Sequence, residues 1–134
     1  MYRKRRKKSP RTKLMDKLDT AWSLAVKVRA KYKSELSGMG KFQTRLNSHH
    51  FITRDVKALR YDLRNGVCIG AGEHTLSRQS AHKAPKWFEE QMLEIRPDDW
   101  NYCQEHKWDI KKWTMEEMQE ELEKLNLYIK QNSQ

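Results

Sequence analysis

The residues best suited to chemistry lie between positions 49 and 74, in the stretch HHFITRDVKALRYDLRNGVCIGAGEH. His49 and His50 stand side by side, Asn65 follows His50 by fifteen residues, and His74 follows Asn65 by nine. Imidazole has an ordinary pKa near neutrality, and its neutral form can ligate a divalent cation or take a proton from water. Histidines at such spacing therefore invite metal-assisted hydrolysis. A histidine pair can equally be a solvated strand end, so its surroundings carry weight. His82 lies eight residues beyond His74. On one unbroken helix the two would be about 12 Å apart, too far to share an ion. A bend would bring His82 inward as a third ligand or phosphate contact; otherwise it is a surface histidine.

The elements that must hold these residues are short. Gly38 and Gly40 break a preceding helix, and a strand leads into the histidine pair. Leu59, Tyr61 and Leu63 alternate with charged residues and pack the following loop, and Gly66 lets the chain turn into a second strand at 67–69, with Cys68 as a small buried apolar residue. Before this unit, residues 14–33 read as a helix with Leu14, Leu18, Ala21, Trp22, Ala25, Val26 and Val28 on its apolar side. After it, Pro85 opens a helix through about residue 95, with Trp87, Phe88, Met92 and Ile95 apolar. A third helix spans about 98–107 and turns Trp100 and Cys103 inward. Thr114 and Glu117 form a capping-box pattern that starts the last helix. Its stripe of Met115, Met118, Leu122, Leu125 and Ile129 could close the core or form a homodimer seam; at about two heptads, docking within the chain is preferred. The five tryptophans could stack on bases, yet their helical spacing favours core or interface packing.

Composition sets the outer limits. A chain of 134 residues suits one domain. Its net charge of +10 points to nucleic acid rather than membrane, since no apolar run approaches bilayer thickness. The first thirteen residues hold eight basic and no acidic side chains, which leaves 20 basic against 18 acidic in the rest. This arm, with Arg3, Lys4, Arg5, Arg6, Lys7 and Lys8 at its centre, is expected to stay disordered until it meets phosphate. A solubilising or localisation tail is the other reading. Cys68 and Cys103 stand far apart and in no CxxC pair, so neither a disulfide framework nor a zinc site is suggested. No secretory apolar segment opens the chain, and the cytoplasm is the expected compartment.

The His, His, Asn, His spacing resembles the HNH nuclease motif. The likeness narrows over several segments: LD-x-x-WS-x-x-V-x-x-R at Leu18 to Arg29, a glycine-lysine turn at Gly40 and Lys41, then HHF-x-x-R, LRYDLRNG and HTLSRQSAH. Together they resemble phage recombination endonucleases of the lambda NinG (Rap) type, over most of residues 14–95. The resemblance implies two short strands and a helix around one divalent cation, with Mg or Mn expected first and Zn or Ni as alternatives. His49 and His74 would bind the ion, His50 would be the general base for phosphodiester hydrolysis, and Asn65 would brace the loop and orient the His50 ring. Arg54 would clamp the phosphate, with a plain surface role as its alternative. Arg60, Arg64, Arg78 and Lys83 complete the expected phosphate contacts.

Relatives of this type usually carry a structural zinc on two CxxC knuckles. Here Leu36, Met39, Gly70 and Glu73 stand at those positions. Leucine, methionine and glycine cannot ligate zinc, so no structural zinc is expected, and apolar packing of Leu36 and Met39 would replace it. The expectation is an α+β, mostly helical domain over 14–134 around a ββα-metal finger, with a basic arm at 1–13. Its function would be that of a phage-encoded, metal-dependent DNA endonuclease acting on branched or recombination-intermediate DNA in the host cytoplasm. An HNH nuclease assisting genome packaging, or a non-catalytic DNA-binding module with a decayed site, are the alternatives.

Overall fold

The computed structural model describes residues 3–76 and 79–133. The elements run α1 (Pro10–Arg29), β1 (Leu46–His50), β2 (Gly66–Gly70), α2 (Pro85–Ile95), α3 (Pro97–His106) and α4 (Met115–Asn132). A 3-10 turn at Leu63–Asn65 precedes β2, and a π-helical turn at Gly72–Leu76 follows it. The class is α+β and mostly helical. No helix among the described residues is long and apolar enough to cross a membrane.

α1 begins earlier than its hydrophobic pattern suggests. The Ser9 side chain accepts a hydrogen bond from the Thr12 N–H, and Pro10 occupies the first turn, so residues 10–13 of the basic run are helical. The helix also stops at Arg29 instead of continuing to 33. Lys31 and Tyr32 both take φ of 55°, a left-handed conformation that ends the helix and leads into a β-bridge between Lys33 and Gly40. All seven apolar residues expected on α1 are buried. Met118, Leu122 and Leu125 of α4 pack on that face, so the middle of the stripe considered as a dimer seam is buried within the chain, with Ile129 partly buried and Met115 exposed at its ends.

β1 and β2 are antiparallel, with His49 opposite Val67 and His50 opposite Gly66. Every residue of β2 is buried. Alternation along the strand sends Cys68 into the α1–α4 core and Val67 and Ile69 into a second core with Phe88, Met92 and Trp100. The small sheet thus divides two apolar clusters. Gly66 is needed here for space rather than for turning, since its φ is an ordinary −137°. A Cβ there would lie 2.5 Å from the Trp22 ring and 2.7 Å from Val26.

Local signals place the later helices. Pro85 and Pro97 open α2 and α3, and the Thr114–Glu117 capping box is formed. Trp22 and Trp100 are core residues and Trp87 and Trp113 are partly buried, but Trp108 is 82% exposed, contrary to the packing expected of it. Ile95 is also exposed, at 41%. Of the two residues expected to pack in place of zinc, Leu36 lies against the second core, whereas Met39 is exposed. The loop is held by hydrogen bonds instead: Glu73 Oε1 accepts from Ser34 Oγ at 2.5 Å and from the Gly70 N–H at 2.8 Å, and the Ser34 N–H donates to Met39 O.

Candidate active site

Adjacent residues on a strand face opposite ways, and this gives the two neighbouring histidines different surroundings. His50 shares a face with Leu46, which enters the α1–α4 core, and with Ser48, whose Oγ donates to Ser23 O at 2.7 Å. Its ring stacks on the Trp22 indole with centroids 3.8 Å apart and planes 5° from parallel. His49 turns to the other side, edge-on to Phe88 at 5.0 Å, to His74 at 4.9 Å and to His82 at 5.0 Å.

His82 reaches this cluster because the chain doubles back after the π-helical turn. The Ala81 N–H donates to Glu73 O and the His82 N–H to His74 O. The two Nε2 atoms then lie 2.9 Å apart. The donor nitrogens of His49, His74 and His82 all lie within 4.8 Å of one another. Imidazole nitrogens bind such ions at about 2.0–2.1 Å, so the three donors are near enough to one another to hold a single cation between them. Three imidazoles without a carboxylate suit a borderline ion such as zinc or nickel better than magnesium or manganese, which favour oxygen ligands. Burial, then the nearby His74, His82 and His50, push the His49 pKa down to about 3. Burial, then His82, lowers that of His74. Lowered pKa values keep lone pairs free for a metal at neutral pH.

The His50 ring is fixed from two sides. Besides the Trp22 stack, its Nε2 lies 3.0 Å from the Arg60 carbonyl oxygen. A carbonyl only accepts, so Nε2 carries the proton and Nδ1 keeps its lone pair. Burial lowers the His50 pKa, opposed by this hydrogen bond and by Asp19. The Arg60 side chain, expected on phosphate, instead makes a bidentate pair with Asp19 of α1, with N···O distances of 2.9 and 2.7 Å. Its role is to anchor the loop whose carbonyl orients His50. Asn65 is fully buried and does brace the loop: Oδ1 accepts from the Ile52 N–H, and Nδ2 donates to Ile52 O and Leu59 O. These bonds all go to backbone and none reaches the His50 ring, so the expected orienting role falls to Trp22 and the Arg60 carbonyl.

These groups line a cleft of about 560 Å³ with Asp19, Trp22, Ser23, Ser48, Thr53, Arg54, His49, His50, His74 and His82 on its walls. Arg54, expected to clamp phosphate, lies on the wall of this cleft. Arg64 lies outside the lining of the cleft: it pairs with Asp62 at 2.8 Å and sits 3.5 Å over the Tyr102 ring. Lys83 is exposed and also outside that lining, and Arg78 lies outside the described residues. Arg3, Lys4, Arg5, Arg6, Lys7 and Lys8 are exposed ahead of α1, where Lys8 pairs with Asp16 at 2.6 Å. Asp19, Trp22 and Ser23 had not been singled out for the site. Their signal was available, since positions i, i+3 and i+4 of the LD-x-x-WS pattern share one helix face.

No family model matches the chain, and neither a curated protein nor a solved structure was found to match it.

Proposed function

We propose that this chain is a metal-dependent DNA endonuclease of the HNH type, phage-encoded and acting on branched or recombination-intermediate DNA. One observation carries the reading: the ring nitrogens of three imidazoles lie within 4.8 Å of one another, and a fourth histidine, His50, lines the same cleft as Arg54 with its Nε2 held by a carbonyl. Further support comes from the order of the local elements, two antiparallel strands followed by a helical turn bearing His74, which fits a ββα-metal finger. The strongly basic composition fits a polyanionic substrate.

In this mechanism His49, His74 and His82 would hold one divalent cation, and their donor set favours Zn²⁺ or Ni²⁺ over Mg²⁺ or Mn²⁺. A cation bound there would supply positive charge to the scissile phosphate and the leaving oxygen. His50 Nδ1 takes the proton of the attacking water. The Arg60 carbonyl holds the opposite ring nitrogen, and the Asp19 carboxylate favours the imidazolium that results. Arg54 pairs with a non-bridging phosphate oxygen.

The test is cleavage of linear, nicked, flap and four-way DNA with each of the four ions. His50→Ala should lower the rate by roughly 10²- to 10⁴-fold with DNA binding little changed. His74→Ala should raise the metal concentration needed for half-maximal activity. A parent protein that cuts no DNA form with any ion, or a folded His50→Ala variant as fast as the parent, rejects the assignment.

A further inference from the structure

The connection between α3 and α4 leaves two large apolar side chains in solvent, Trp108 at 82% and Ile110 at 92% exposed. They are set among cations. Lys57, Lys107, Lys111 and Lys112 line the same shallow depression, together with Val56 and with Asp55 and Asp109 as its acidic members. Asp109 is paired with His106, and Lys111 with Glu117. Lys57, Lys107 and Lys112 form no ion pair among the described residues, and the Lys107 ammonium lies 5.7 Å from the Trp108 ring centroid. The depression is also tied to the cleft. Lys57 follows Arg54 by three residues, at most about 11 Å along the chain, and its carbonyl accepts a hydrogen bond from Trp113 Nε1 at 2.9 Å.

An exposed indole with one lysine over one of its faces and others lining the same depression has the chemistry of a stacking platform for an unpaired base: the other face of the ring takes the base's π-face, and the ammonium groups take the flanking phosphates. A protein partner would be served by the apolar pair but not by the excess of unpaired cations, whereas the stacked bases of an intact duplex offer no face to the indole. We propose that Trp108, with Lys57, Lys107 and Lys112, binds an unpaired nucleotide of the DNA strand. Resting on the nuclease reading, this names the substrate class: DNA with a single-stranded segment beside the scissile phosphate, such as a flap or an open junction.

Binding can be measured without cleavage, by fluorescence anisotropy in EDTA at fixed salt. The probes are a labelled thymidine 12-mer, an abasic 12-mer of the same charge and a blunt duplex. The parent protein should prefer the thymidine strand over the abasic one. Trp108→Ala should weaken thymidine binding roughly 5-fold or more, erase that preference, and leave the duplex affinity within about two-fold; Trp108→Tyr, which keeps a ring, should restore most of the loss. Unchanged thymidine binding in Trp108→Ala, an equal loss on all three probes, or no rescue by tyrosine overturns the proposal. Its failure is separable from that of the nuclease reading: a protein that stacks thymidine but cuts nothing keeps the platform and loses the enzyme, and one that cuts DNA with no effect of Trp108→Ala on binding does the reverse.

Discussion

A methyl group on Gly66 would fall 2.5 Å from the indole on which His50 stacks. Gly66→Ala must therefore displace Trp22, and overpacking of this kind costs about 1–3 kcal/mol. Urea unfolding should show that loss, and cleavage should fall further than the loss of folded protein explains. Asn65 makes a different demand. Asn65→Ala would leave the Ile52 N–H and the Ile52 and Leu59 carbonyls without their partner, at about 1–3 kcal/mol for each buried group left unsatisfied. The variant should thus lose stability as well as rate. The histidines predict a pH dependence in the metal-free protein. His49 has a folded-state pKa of about 3 against an ordinary 6.5, and His50 and His74 shift the same way. As pH falls, the unfolded chain takes up protons first, so stability is complete above about 6.5 and declines towards 3. Tm should fall between pH 6.5 and 5, ahead of the ordinary carboxylate range, and His49→Gln should flatten the decline; a Tm that rises on acidification contradicts the cluster.

Among the elements, those bounded by local chemistry were legible in the sequence. Pro85 and the Thr114–Glu117 box act within one turn of themselves, and α2 and α4 start where they stand, while α3 starts at Pro97, one residue ahead of the expected 98. The start of α1 was hidden because Ser9 and Pro10 sit inside a charge run whose composition argues for an arm. Its end was hidden because the left-handed residues are Lys31 and Tyr32 rather than glycine. The histidine cluster was partly legible: spacing grouped His49, His50, Asn65 and His74, but only the chain reversal after His74 decides where His82 lies. The Trp22 stack and the Arg60–Asp19 pair join residues 28 and 41 positions apart, and no periodicity encodes such contacts. The loop at 34–40 yields its own prediction. Held by the Glu73 carboxylate, it should survive chelator with its circular dichroism unchanged, whereas Glu73→Ala should lower Tm. Loss of the folded spectrum in EDTA would reveal a structural metal.

At the scale of the whole molecule, the basic arm and the cleft are separate devices. Removing residues 1–8 deletes six cations while sparing the Ser9 cap. It should flatten the dependence of log K on log salt by at most about five units, at roughly 0.9 per phosphate. An unchanged slope would show that the arm does not engage DNA. The cleft itself lies where the two apolar clusters meet: Trp22, from the α1–α4 core, stacks on His50, while Phe88, from the other, flanks His49. This seam also gives the protein an optical readout. An imidazolium quenches indole emission on contact, and an imidazole stacked at 3.8 Å is already in contact. Trp22 emission should therefore dim whenever His50 takes up a proton, and the part of the acid quenching that is lost in His50→Ala, measured over the constant background of the other four tryptophans, follows the protonation state of the proposed base without a label.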